Sequence, residues 1–350
     1  MSALARTLPE PESARESPPR RIGATLARLA RKPQTGAVLA AALVYLFFAI
    51  AAAGKGFVTV TGTASWLNTA AELGIIAVPV GLLMIAGEFD LSVGSIVGAS
   101  TITVAVGSGY FSLALPASIA LALLMGLLVG LGNGLLVVRT GMPSFIVTLA
   151  ANLVLVGLAL GLSRSLAGSS VVSLTSGGIS HRLLGSSWRS FNVSILWWLA
   201  VALLAGWVLV RARFGNWIYA TGGNQAGAKS AGVPTDRVKI ILFMATGLCA
   251  ALVGVIQALE FGNGNAVNGQ GFVFQAPIAA VIGGVLLTGR YGSVTGVVMG
   301  TIIYGIVNLG LFYTGWDTDY AQTFIGALLL LAVLANGYFR QLALRAGGAS

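Results

Sequence analysis

The residues Gly222–Ser230, GGNQAGAKS, come close to a phosphate-binding loop. That loop needs a glycine directly before its lysine, and here Ala228 separates Gly227 from Lys229. It also needs a preceding strand of a soluble α/β sheet, whereas a long apolar tract precedes this segment. Nucleotide binding by this chain is therefore not expected. A second group, Gly87–Ser95 (GEFDLSVGS), places Glu88 and Asp90 at the start of an apolar tract. Asp90 or Ser92 is placed to cap the following helix, and charge at a membrane boundary also marks a pathway mouth. Within the apolar tracts, polar residues are sparse: Asn133, Asn152, Gln257 and Asn308, with Glu72 and Glu260 near the outer ends of theirs. Asn133 and Asn308 suit hydrogen bonds to a polyhydroxylated solute, or bonds between helices. One cysteine (Cys249) and one histidine (His181) give no disulfide and no Cys/His metal site. His181 reads as a loop residue, so neither a zinc motif nor a Ser–His pair is available for an intramembrane enzyme. No ionisable residue falls at the centre of an apolar tract, which argues against ion-coupled transport.

The elements that carry these residues are membrane spans. Of 350 residues, 56% are hydrophobic and 9% charged, against about 25% charged in soluble domains. At about 20 residues per crossing, ten spans are predicted: 36–54, 69–87, 91–110, 113–138, 143–163, 194–210, 238–260, 272–288, 293–312 and 320–338. The third is expected to be broken or partly re-entrant. The fold class is an all-α polytopic membrane protein. Residues 1–35 read as a disordered basic tail able to touch anionic lipid, 36–338 as the membrane domain and 339–350 as a second tail. With both termini inside, sixteen basic residues fall on the inner side. Four fall outside: Lys55, Arg164, Arg182 and Arg189. The positive-inside rule supports that orientation. The net charge of +10 is thus explained by topology and not by nucleic acid. The polar island 211–239 then faces the cytoplasm, and 164–193 forms an outer loop.

Glycine, with 48 copies, is the other signature. Gly126, Gly130 and Gly134 share one helix face, as do Gly292, Gly296 and Gly300. Small residues on one face let membrane helices approach closely. A weak internal echo links Gly94–Gly98 (GSIVG) with Gly292–Gly296 (GSVTG).

Several ordered motifs then carry a family likeness: Gly87–Ser95; Gly132-Asn133-Gly134 with Pro143–Leu149; Tyr219–Val233 with Arg237-Val238-Lys239; Ala279–Gly284; and Tyr291–Gly296. From about Ala37 to Asn336 the chain resembles the permease subunits of bacterial ATP-binding-cassette importers for ribose, xylose and related monosaccharides. The resemblance implies a dimer of permease subunits around a central pathway and a periplasmic binding protein outside. It also implies a cytoplasmic ATPase that holds ATP and magnesium, with no cofactor on this chain. On that likeness Gly223, Asn224, Gln225, Gly227, Ala228, Ser230, Gly232 and Val233 form the ATPase-coupling segment, a short helix seated on the partner. Asp90, Ser92, Asn133 and Asn308 are the pathway or gate candidates. The chain departs from the pattern at Val273, where a glutamate is common, at Pro277, at Arg290 in place of a glycine, and over Phe312–Tyr320. The rival reading is an ion-coupled secondary carrier.

Overall fold

The computed structural model describes residues 33–174 and 177–347. The tail expected over 1–35 therefore lies almost wholly outside the described residues. Each predicted span contains a helix: α1 Pro33–Ala51, α2 Val60–Ile85, α3 Val93–Ala105 with one π turn to Tyr110, α4 Leu115–Thr140 and α5 Ser144–Ala167. After a short α6 Gly178–Leu184 follow α7 Ser194–Arg211, α8 Arg213–Gly223, α9 Gln225–Ser230, α10 Thr235–Phe261, α11 Phe272–Ile282, α12 Val294–Thr314 and α13 Tyr320–Gly347. Among the described residues, seven are long and apolar enough to cross a membrane, and three shorter apolar stretches lie in α1, α11 and α13. Two small antiparallel pairs, β1 Val171–Ser173 with β4 Asn263–Asn265 and β2 Ser187–Trp188 with β3 Phe191–Asn192, sit at one end.

Burial sorts the helices into a centre and a periphery. The apolar window of α2 is 83% buried, whereas that of α7 is 17% buried. Thus α2, α3, α10 and α12 form the core, and α4, α5 and α7 turn apolar faces outward, as lipid contact requires. The glycine face on α4 serves close packing: a Cβ on Gly126 would lie 2.5 Å from the Gly247 carbonyl, and one on Gly130 would meet that of Phe243. On α12, Gly296 and Gly300 press in the same way on the backbone of Gly283 and Ala279. Both rows close helix contacts, but Gly292, expected in the second, lies ahead of α12, and a Cβ there would meet the Ile85 and Val285 side chains.

Three predicted spans change shape. The second starts at Val60 and not 69, because Thr59 caps it by accepting from the Gly62 N–H (3.1 Å). Glu72 therefore sits in the middle of a 26-residue helix, about 18 Å from its start at 1.5 Å per residue. One turn past Asn68, which binds the β2–β3 hairpin, it still lies toward that end of the bundle, as expected. The eighth span, expected over 272–288, is helical only to Ile282. Its 11 residues rise about 16 Å, half a bilayer core. Gly284 at φ +91° turns the chain out of the helix, and irregular backbone runs to Ser293. Such backbone survives at membrane depth only when protein covers it and satisfies its polar groups. Here Leu286 N–H donates to the Tyr291 carbonyl and Arg290 N–H to that of Ile85 (2.8 Å). The seventh span begins earlier, at Thr235, and the island before it is mostly helix, in α8 and α9.

Described basic residues stand at both ends of the bundle. Lys239 and Arg290 meet the Ile85–Glu88 turn at one end. At the other, Lys55 donates to the Thr314 carbonyl (2.5 Å), and the hairpin bearing Arg189 is held by Asn68.

Candidate functional site

The island ends in a helix built to stand by itself. Asn224 is the N-cap of α9; its side chain accepts from the Gly227 N–H (3.0 Å). At the other end Gly232, at φ +84°, donates to the Lys229 carbonyl, and Val233 donates to that of Ala228. That pair of bonds is a Schellman stop, which needs a left-handed residue at the Gly232 position. Ala228 turns inward and is buried, whereas Gly223, Asn224, Gln225, Gly227, Ser230 and Gly232 are exposed and Val233 partly so. The result is a flat, small-residue surface at the basic end of the bundle. The Lys229–Asp236 pair on it is largely exposed (63% and 40%) and stabilises it little.

A buried polar chain leads inward from that surface. Gln225 Oε1 accepts from Lys239 Nζ (2.8 Å), and Lys239 also pairs with Glu88 at 2.5 Å. Glu88 opens the connection between α2 and α3, and side chains of three helices hold the rest of it. Ser144 and Thr148 of α5 accept from the Phe89 and Leu91 N–H groups, each at 3.0 Å. Asp90, fully buried, accepts from Ser92 N–H (2.9 Å) and Ser92 Oγ (2.6 Å) on one oxygen and from Thr246 Oγ1 of α10 (2.5 Å) on the other. Asn133 of α4 donates to Ser92 Oγ (2.9 Å). Burial pushes the Asp90 carboxyl above its ordinary range, and the bonds from Ser92 and Thr246 oppose that shift.

The structure thus joins Asp90, Ser92 and Asn133 in one cluster. Ser92 stands at the N-cap position of α3 but forms no side-chain cap bond; Asp90 reaches forward to the Ser92 N–H instead. Asn308 belongs to a different set, around Tyr304, Gln275 and Gln322. Sequence reasoning gave no role to Lys239 or Thr246. The available signal was spacing: seven residues apart, they share one face of α10.

Two irregular segments and the end of α8 meet beside this cluster. Gly222 lies so close to the Ile85 carbonyl that a Cβ there would overlap it, and a Cβ on Gly289 would lie 3.0 Å from the Gly87 Cα. Tyr219 Oη donates to the Gly292 carbonyl (2.8 Å), tying α8 to the same crossing; burial raises the pKa of its hydroxyl. Arg290 has φ +76°. The departure from glycine at this position therefore puts a side chain on left-handed backbone.

At the far end, Asn192 Nδ2 donates to Glu260 (2.6 Å) and Gln257 Nε2 to Glu72 (2.7 Å). Asn68 brackets the hairpin by donating to the Ser190 carbonyl and accepting from the Asn192 N–H.

Among the described residues, seven helices long and apolar enough to cross a membrane, with buried chain breaks and an exposed, doubly capped helix at the basic end, make this a multi-pass membrane protein. The chain belongs to the family described as branched-chain amino acid transport system / permease component, whose family model matches residues 62–333. It is 31% identical to the probable ABC transporter permease protein YphD of Escherichia coli K12, over 87% of this chain and 89% of that one. It is 29% identical to the ribose import permease protein RbsC of the same strain, over 84% and 91%. Against the autoinducer 2 import system permease protein LsrC of Photorhabdus laumondii the identity is 34%, over 76% and 78%. No solved structure matches the chain.

Proposed function

We propose that this chain is the membrane-spanning subunit of an importer driven by ATP hydrolysed on another subunit. Its solute is a monosaccharide or polyol, as the ribose named for one relative suggests. The observation that carries this reading is the exposed helix α9, linked through Gln225, Lys239 and Glu88 to the buried Asp90–Ser92–Asn133–Thr246 cluster. A self-standing surface helix with an internal polar connection to the core suits the transmission of a partner's movement.

On this reading the basic end is cytoplasmic, with both termini, and Gly223–Val233 docks on an ABC ATPase that binds ATP and magnesium. A periplasmic binding protein delivers solute at the end bearing β1–β4. A second permease subunit, identical or not, completes the pathway within the lipid bilayer. Docking outside and ATP closure inside bias the equilibrium between two access states by their different affinities for each.

One observation favours the rival, an ion-coupled carrier: Glu72 stands mid-helix and, among the described residues, is hydrogen-bonded only to an amide, Gln257. Intramembrane carboxylates are common in proton relays. Uptake of radiolabelled ribose and xylose into energised vesicles separates the readings. With ATP and a partner ABC ATPase supplied, uptake proceeds after the ion gradients are collapsed, and Glu72→Gln retains it. Gradient-dependent uptake without an ATPase, lost in Glu72→Gln, would establish the rival.

A further inference from the structure

Where α10 ends and α11 begins, a cavity of 240 Å³ opens toward the end of the bundle opposite α9. Gln257 and Phe261 line it from α10, Asn268 from the connecting turn, and Phe272 and Gln275 from α11. By liquid volume it holds about eight waters, which is monosaccharide size. Two glycines clear it. A side chain at Gly271 would meet the Gln275 amide at 2.5 Å, and Gly269, at φ +87°, would meet Val97 at 2.5 Å.

The lining is poised but incomplete. Gln257 is 8% exposed. Its Nε2 donates to the Glu72 carboxyl at 2.7 Å. Its Oε1 is buried and has no hydrogen-bond partner among the described residues. Buried polar atoms are nearly always satisfied, so an unpartnered acceptor in a cavity wall points to a donor that arrives with a ligand. Beyond Gln275 the same chemistry continues. The Tyr304 hydroxyl is buried without a hydrogen bond of good geometry, and the amides of Gln275, Asn308 and Gln322 surround it. Gln322 is exposed although α13 is apolar, and an amide at that depth faces water or protein in preference to lipid.

The chemistry is also selective. Every side chain in the lining is neutral: three amides and two phenyl rings. Without lysine or arginine, nothing there holds a phosphate or a carboxylate. Phenyl faces beside a few amides suit a ligand with C–H faces and hydroxyl edges. We infer that Gln257, Asn268 and Gln275, with Phe261 and Phe272, form an acceptor site for a neutral polyhydroxylated solute, from which it passes along Tyr304, Asn308 and Gln322. The site rests on the importer reading and narrows it, because a zwitterionic amino acid finds no cation here for its carboxylate.

The test is saturation-transfer NMR on the full chain in lipid nanodiscs, with ribose, xylose and glucose as probes and ribose 5-phosphate and leucine as controls. The neutral sugars give signal and the controls do not. Gln275→Leu and Asn268→Leu each lower the sugar signal about five-fold, the loss of about one hydrogen bond. Variants are compared as monodisperse protein, and the two substitutions lie on different elements, so misfolding of one leaves the other decisive. Equal signal from the charged controls, unchanged signal in both variants, or no sugar signal with wild type overturns the site. ATP-dependent sugar uptake is measured in parallel. If uptake persists at the wild-type rate in both variants, the importer stands and the site falls; if wild type takes up no sugar, the importer reading itself falls.

Discussion

The pair Lys239–Glu88 offers the sharpest test of how α9 is connected to the bundle. Both side chains are nearly buried, at 10% and 12% exposed, and Lys239 has a second bond to Gln225. Replacing Lys239 by Met strands the Glu88 carboxylate. Breaking a buried pair from one side costs about 3–5 kcal/mol, and the residual exposure of Glu88 puts the expected loss near the lower figure, about 3 kcal/mol. Glu88→Gln strands the ammonium less severely, because Gln225 still accepts from it. The double variant Glu88→Gln/Lys239→Met leaves no unpaired charge and should lie within about 1 kcal/mol of wild type. The cycle should therefore return a coupling of at least about 2 kcal/mol, read from unfolding in detergent by the fluorescence of the seven tryptophans. Function should separate from stability in the double variant. It folds, but the charge-assisted bond to Gln225, of about 1.5–3 kcal/mol, is gone. Solute-stimulated ATP hydrolysis by the reconstituted complex should then drop about ten-fold or more, at 1.4 kcal/mol per ten-fold. Additive single effects would refute the pairing. A stable double variant with undiminished stimulation would refute transmission through it.

Three further outcomes follow from the geometry. Gly227→Trp projects a large ring from the exposed face of α9, where even a Cβ stands 3.1 Å from Asn224; the chain should insert normally and lose uptake, and retained uptake with normal ATPase co-purification would sink the docking assignment. Arg290→Gly removes an exposed side chain from backbone at φ +76° and should stabilise the protein by about 1 kcal/mol, seen as a raised unfolding midpoint; a lowered midpoint would mean that the side chain contributes more than its strain costs. Gly130→Ala drives a methyl into the Phe243 carbonyl and should destabilise by about 1–3 kcal/mol, whereas Gly157→Ala, with nothing within 4 Å, should be neutral or slightly stabilising in the same assay.

Much of the framework was legible because it rests on local chemistry. Each apolar run holds a helix, seven of them among the described residues long enough to cross a membrane, since the cost of leaving backbone and charge in hydrocarbon is counted residue by residue along the chain. The glycine rows on α4 and α12 marked tight packing before any neighbour was known.

What only the tertiary structure decided are the properties that belong to pairs of distant segments. Asp90 meets Thr246 across 156 residues of chain, and no periodicity within either segment announces it. Glu72 moved to mid-helix because Thr59 starts α2 in a stretch polar enough to read as a loop. The eighth span broke at Gly283 and Gly284 because neighbouring backbone was available to satisfy and cover it. Lys239 became a link only when α9 folded back to bring Gln225 within 2.8 Å. Hydropathy assigns a residue to the membrane; packing alone decides which polar group it will face there, because hydrogen bonds and ion pairs act over a few ångströms while the chain brings together residues from anywhere along its length.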